Sequence, residues 1–160
     1  MHSLARMELL GTQISREGQC EAVLRSLPGW FGIEESLRMY AQDTTRLPTF
    51  ALAEGGIIIA FLSLAEHFAE SWEVHCMAVH ARARHRGHGT TLLRHSEQWL
   101  SKRGAKFLQV KTVAHTSNSA EYGETRQFYL ARGFTPLEVF PTLWAPQNPA
   151  LQLVKVLIAG

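Results

Sequence analysis

Apolar positions recur along this chain with two different periods, and the changes between them divide it into elements. Met7 to Thr12 reads as a first strand. Ser15 is placed to cap a helix whose apolar residues Ala22, Val23 and Leu27 run toward the stop signal Pro28-Gly29. Ile33, Leu37, Tyr40 and Ala41 repeat as one face of a second helix, with Glu34 and Arg38 one turn apart as a surface pair. Gly29-Trp30-Phe31-Gly32 forms a short aromatic loop between the two. The period then drops to that of strands. Phe50 to Glu54 and Ile57 to Glu66 flank Gly55-Gly56, two residues free to take positive φ, as a tight hairpin requires. In Trp72 to Val79, Trp72, Val74, Cys76 and Ala78 share one face, while Glu73, His75, Met77 and Val79 share the other.

The second half continues the alternation of types. A helix runs from about His88 to Arg103 and stops at Gly104, the residue a left-handed C-cap needs. Lys106 to Val113 is a strand, Glu121 to Arg132 a helix closed by Gly133, and Thr135 to Phe140 and Leu151 to Ile158 are two final strands. Trp144-Ala145-Pro146-Gln147-Asn148-Pro149 reads as a late loop. The order is mixed α/β, without internal repeat, low-complexity segment or linker, so residues 1–160 are expected to share one core as one domain.

Composition narrows the function without choosing it. With 46% hydrophobic and 19% charged residues among 160, the chain is in the ordinary globular range. A formal charge of +2, from 16 basic and 14 acidic side chains, does not mark a nucleic-acid or membrane-surface protein. Cys20 and Cys76 lie far apart, outside any spacing of a disulfide framework or zinc site, which fits a reducing, cytoplasmic setting. The apolar run Ile57 to Ala65 is too short to span a bilayer, and a signal pattern is lacking at the N-terminus, so a soluble, unexported protein is expected.

The chemistry concentrates where strand Trp72 to Val79 gives way to Arg84-His85-Arg86-Gly87-His88-Gly89 and then to a helix. Such a turn aims backbone N–H groups and the positive end of a helix dipole at one point, a natural seat for phosphate. Gly87 and Gly89 let a pyrophosphate approach the backbone, and Arg82, Arg84 and Arg86 add charge. Taken alone, the six residues also fit a solvated basic turn.

The wider pattern resembles the GNAT superfamily of acyl-CoA-dependent N-acyltransferases. Arg84, Gly87 and Gly89 match its motif of Gln or Arg, two residues, Gly, one residue, Gly or Ala. Glu73-Val74-His75-Cys76-Met77-Ala78-Val79 resembles the strand that backs the acyl-CoA, and Tyr129-Leu130-Ala131-Arg132-Gly133-Phe134 is similar to the family's late helix ending. Together these cover Trp72 to Phe134. Tyr122 and Thr125 stand where many members have Asn and Ala, so an asparagine contact to the cofactor arm is not carried over, and none is transferred to Asn118.

The resemblance implies a mixed, mainly antiparallel sheet with helices on both faces. Acetyl-CoA would enter where two parallel strands, Trp72 to Val79 and Lys106 to Val113, splay apart. It implies cofactor contacts from Met77, Ala78 and Val79 and from Arg84, His85, Arg86, Gly87, His88, Gly89 and Thr90, with an oxyanion donor near Met77 or Ala78. The implied reaction moves an acetyl group to a primary amine. An alkylammonium is about one part in a thousand free amine at pH 7, so a proton acceptor is needed, and Glu73 aligns with the family's strand carboxylate, acting directly or through water. Tyr129 matches the acid that protonates the departing thiolate. The plain alternatives are a solvated strand-end carboxylate and a packed tyrosine. His75 could relay the proton, be the base, or sit as a satisfied core histidine. Trp30, Phe31, His75, Tyr122 and Trp144 are candidates to line an acceptor pocket.

Rival readings are weaker. His75, His80, His85 and His88 crowd one stretch, but without the carboxylate or cysteine spacing that completes a ligand set, so metal is not expected. A phosphate patch at Ala81 to Arg86 would suit nucleic acid, but the near-neutral chain argues against that partner. A CoA-binding sensor or scaffold without turnover is the other alternative. Expected partners are therefore an amine substrate, small molecule or protein, with neither membrane nor nucleic acid. A homodimer is compatible with the sequence. The acceptor itself is not legible.

Overall fold

The computed structural model describes residues 6–115 and 119–158. Along the chain these form β1 (Met7–Leu10), α1 (Glu17–Arg25), α2 (Glu34–Asp43), β2 (Thr49–Glu54), β3 (Ile57–Phe68), β4 (Ser71–Val79), α3 (His88–Lys102), β5 (Phe107–Val113), α4 (Ala120–Ala131), β6 (Thr135–Ala145) and β7 (Asn148–Val156). Seven strands join one mixed sheet in the order β1-β2-β3-β4-β5-β7-β6, flanked by the four helices. β1–β2, β2–β3, β5–β7 and β6–β7 pair antiparallel, while β4–β5 pairs parallel. Among the described residues, no helix is long and apolar enough to cross a membrane.

The chain packs as two compact units, one of Met1–Ala65 with His75–Gln98, the other of Glu66–Val74 with Trp99–Gly160. In the first, α1 contributes Cys20, Val23 and Leu24, α2 contributes Leu37 and Ala41, and β2 to β4 contribute Ala51, Ala53, Ile58, Phe61, Cys76 and Ala78 to one apolar cluster. Each fully buried large side chain, such as Phe61 or Leu24, stabilises by about 1.5–3 kcal/mol. Gly55 and Gly56 take φ of 60° and 84°, so the two-residue hairpin predicted between β2 and β3 forms as expected. Arg25 of α1 grips Glu34 of α2 with both terminal nitrogens, at 3.0 and 2.7 Å, and Arg38 adds the predicted surface pair at 3.0 Å. Those hydrogen bonds, Arg25 first, hold the Glu34 carboxyl at about 2. Cys20 and Cys76 are both buried free thiols, and burial pushes Cys20 up to about 11.

In the second unit, Ser71–Val74 of β4 runs parallel to Phe107–Val110, and β5, β7 and β6 continue antiparallel from there. Leu108, Val110, Leu151 and Leu153 are buried, as are Tyr129 and Phe134. The Arg126 guanidinium ties α4 to the end of β5 by donating to the Val113 carbonyl at 2.8 Å.

Two expectations change. Ser15 does not cap α1: it lies at φ 42°, and the helix starts at Glu17 behind Arg16, whose side chain makes no cap bond. Glu17 in the first turn instead complements the helix dipole. The late segment Trp144 to Pro149 is not an extended loop, because β6 reaches Ala145, β7 starts at Asn148, and those two residues pair across a two-residue tip. The strand predicted over Thr135 to Phe140 is therefore β6, and its extension from Pro141 to Ala145 escaped detection because none of its side chains is buried, so it carries no inward apolar period. As the last strand of the sheet it is held by its ladder to β7, and an edge tolerates Pro136 and Pro141.

Candidate functional site

The turn between β4 and α3 combines a short 3-10 turn, two residues of positive φ and the start of a helix. His80 caps a short 3-10 turn, Ala81–Ala83, by accepting the Arg82 amide on Nδ1 at 3.2 Å. The backbone then takes positive φ at His85 (65°) and Gly87 (83°), which re-aims the chain before α3 begins at His88. The Gly87 carbonyl accepts the first helical bond, from the Thr91 amide at 3.0 Å, and the Thr91 hydroxyl as well at 3.1 Å. The amides of His88 and Gly89 therefore precede any acceptor within their own helix. No acidic residue occupies the first turn of α3, so nothing there opposes an anion. A side chain at Gly87 would meet nothing within 4 Å, which leaves the space above the backbone open.

The basic residues divide by partner. Arg82, His85 and Arg86 are exposed, whereas Arg84 is half-buried with its guanidinium 4.4 Å from the centre of the Trp30 ring. Trp30, predicted as pocket lining, thus lies against the first residue of the glycine motif. His88 Nε2 is buried without a hydrogen-bond partner. Among Met77, Ala78 and Val79, the alternation of β4 turns Ala78 into the core and leaves Met77 and Val79 half-buried on the opposite face with His75.

On that face the first unit assembles a group that sequence reasoning only half anticipated. His75 Nε2 lies 2.8 Å from Asp43 Oδ2, and Asp43 Oδ1 accepts from Arg46 at 2.9 Å. The Tyr40 ring stands edge-on to His75 with centres 5.3 Å apart, and Phe31 stands edge-on to Tyr40 at 6.0 Å. Two predicted residues, Phe31 and His75, are therefore joined by two that were missed, Tyr40 and Asp43. In the sequence, Tyr40 reads as part of a helix face. Asp43 carried a usable signal, since an acid in the last turn of a helix opposes the dipole and needs a partner elsewhere.

In the second unit, Glu73 has both oxygens engaged. Oε2 accepts from Lys111 Nζ at 2.8 Å, and Oε1 is 2.6 Å from His67 Nε2 near the end of β3. Its side chain is only 13% exposed, so this is not the solvated strand-end carboxylate of the plain alternative. Tyr129 is buried at the C-terminal end of α4, edge-on to Phe128 and Phe134 at 5.1 and 5.2 Å. The Phe134 amide donates back to the Tyr129 carbonyl at 3.1 Å, so the tyrosine-to-Gly-Phe spacing is what closes the helix. Tyr122, half-buried in α4, has its phenol raised by burial and then by Glu121. Trp144 is exposed on the β6–β7 hairpin. Asn118 lies outside the described residues. A cavity of about 330 Å³ lined by Glu66, Ala69, Trp72 and Arg103 includes none of the predicted site residues.

Comparison with known proteins supplies independent evidence. The profile of the Acetyltransferase (GNAT) family matches residues 19–134. No curated protein matches by sequence. Among solved structures, a GNAT-family protein from Desulfovibrio desulfuricans superposes with a TM-score of 0.84 at 14% identity, covering 96% of this chain and 100% of that one. An aminoglycoside 6'-N-acetyltransferase complexed with coenzyme A gives 0.73 at 18% identity, over 93% of this chain and 97% of that one. The ribosomal-protein-S18-alanine N-acetyltransferase from Escherichia coli gives 0.75 at 19% identity, over 97% of both chains. At these identities the likeness to the solved structures establishes the fold alone.

Proposed function

Because the chain belongs to the GNAT acetyltransferase family, we propose that it transfers an acetyl group from acetyl-CoA to a primary amine of a small molecule or protein, residues 1–160 acting as one catalytic domain. The observation that carries the reading is the β4–α3 turn, where positive φ at His85 and Gly87 delivers the chain to a helix N-terminus free of acids and flanked by arginines. The amides of His88 and Gly89 would receive the pyrophosphate, with Arg84 and Arg86 supplying charge. A relative of the same fold was crystallised with coenzyme A, which supports CoA as the ligand.

In this proposal Glu73 takes a proton from the acceptor nitrogen, directly or through a water on a lone pair left by Lys111 and His67. Tyr129 gives its phenolic proton to the departing thiolate, from a ring whose position is set by Phe128 and Phe134. The acceptor starts as an ammonium, and the aromatic and acidic surroundings of His75, with Phe31, Tyr40 and Asp43, suit a cation.

The test has two stages. CoA, and desulfo-CoA equally, should raise the melting temperature, because a ligand bound only to the folded state adds about 2.7 kcal/mol at a hundredfold excess over its Kd. Acetyl-CoA is then offered with a panel containing an aminoglycoside, a polyamine, a lysine peptide and a peptide with N-terminal alanine, and thiol release is followed. A flat melt together with flat calorimetry at millimolar CoA refutes the reading. Binding without thiol release from any amine favours a CoA sensor instead.

A further inference from the structure

The cavity of about 330 Å³ belongs wholly to the second unit, and two of its lining residues, Glu66 and Arg103, carry opposite charges. Glu66 stands near the end of β3 and Arg103 directly after α3, both exposed. They do not pair with one another, and no described residue hydrogen-bonds or ion-pairs to either the guanidinium or the carboxylate. Arg103 is nevertheless held in place. Its guanidinium lies 4.4 Å from the centre of the Trp99 ring, Trp99 stands edge-on to Trp72 with centres 5.6 Å apart, and the Trp72 indole N–H donates to the Ala69 carbonyl at 3.4 Å. A guanidinium held over a ring keeps its in-plane N–H donors for another partner, and their fork matches a carboxylate. A positive charge at the end of α3 would complement the helix dipole without any such support.

We propose that this cavity binds a free apolar α-amino acid, its carboxylate forked by Arg103, its ammonium on Glu66 and its side chain against Ala69 and Trp72. Three features select that class. A lone anion would face Glu66 and a lone cation would face Arg103, whereas a zwitterion answers both charges at once. The volume is at the small end of the range of about 300–1,000 Å³ typical of small-molecule sites, which suits an amino acid and not a nucleotide cofactor. The remaining lining, Ala69 and Trp72, is uncharged, so an apolar side chain there leaves no polar group without a partner. The proposal does not depend on the acetyltransfer reading, because no residue given a role in that reading lines the cavity.

The experiment titrates leucine, methionine and phenylalanine to millimolar concentration into the intact protein and follows the ¹⁵N–¹H indole signals of Trp72 and Trp99. The tightest of the three should shift both signals saturably. Its amide, which lacks the carboxylate, and its N-acetyl form, which lacks the ammonium, should each bind at least ~10-fold more weakly, since each forfeits a charge-assisted hydrogen bond. Arg103→Gln should bring the amino acid down to the affinity of its amide, and Glu66→Gln down to that of its N-acetyl form. Both substitutions are at exposed positions, melting temperatures check that each variant is folded, and the analogue series on the unsubstituted protein decides the matter if one is not. No saturable shift with any of the three amino acids overturns the proposal. Equal binding of the N-acetyl form overturns it too, by reducing the site to an anion on Arg103, as does equal binding of the amide, by reducing it to a cation on Glu66. Each of these failures leaves acetyltransfer standing, since that reading is tested by CoA binding and thiol release.

Discussion

Gly87→Ala separates the two jobs proposed for the glycine turn, holding the fold and admitting a phosphate. In the unliganded protein the added methyl meets nothing within 4 Å, so it brings no clash. The remaining penalty is the φ of 83°, a left-handed conformation that costs an L side chain about 1–2 kcal/mol. For a domain of this size each kcal/mol moves Tm by about 2–4 °C, which predicts a fall of about 2–8 °C and a protein still folded at room temperature. Ligand binding should suffer more. If the methyl keeps the pyrophosphate from one charge-assisted hydrogen bond to the His88 or Gly89 amide, about 1.5–3 kcal/mol is lost, or roughly 10- to 150-fold in Kd. Calorimetry with CoA on the folded variant measures this directly, and pantetheine, which has no pyrophosphate, is the control whose affinity should not change. An unchanged Kd for CoA would place the phosphate elsewhere and remove the argument that the β4–α3 turn is the cradle.

Tyr129→Phe should leave the ring packing against Phe128 and Phe134 in place and spare CoA affinity. Turnover should nonetheless fall by about 10² to 10⁴, and the loss should ease with an acyl donor whose thiol leaves more readily, as read by thiol release. Glu73→Gln strands the Lys111 ammonium, which is only 25% exposed, so a stability loss of about 1–3 kcal/mol in urea melts should accompany a rate defect that shrinks as pH rises. Asp43 is held below its ordinary pKa, so its stabilisation is complete above the unfolded value of about 3.9 and is lost as pH falls through the lower folded value. The stability gap between the unsubstituted protein and Asp43→Asn should therefore be level near neutrality and narrow in acid, whereas a gap independent of pH would show that charge on Asp43 is not what stabilises.

Much of this protein was legible in one dimension because local geometry dictates it. Gly55-Gly56 supplies the two positive φ values its hairpin needs, and the glycine after α3, with φ of 83° at Gly104, ends that helix where a left-handed residue must stand. The alternation in β4 follows from the two-residue period, which puts Glu73, His75 and Met77 on one face. The turn proposed as the phosphate cradle was equally local, since positive φ at His85 and Gly87 and the start of α3 at His88 fall within six consecutive residues. What lay beyond the sequence were pairings set by long-range packing. Nothing near Glu73 announces that Lys111, 38 positions later, and His67 will each take one of its oxygens. Ser15 carried a correct capping side chain but lost the role once the backbone around it took another path. β6 was extended by hydrogen bonds to β7 rather than by burial, so its pattern held no trace of its length. His75 is the clearest case: its place on the strand follows from periodicity, but its partner Asp43 is 32 positions away on another element. An imidazole packed alone and one bonded to a distant carboxylate look the same in sequence. Only folding, which brings a buried carboxylate to one ring nitrogen and leaves the other unbonded, separates them.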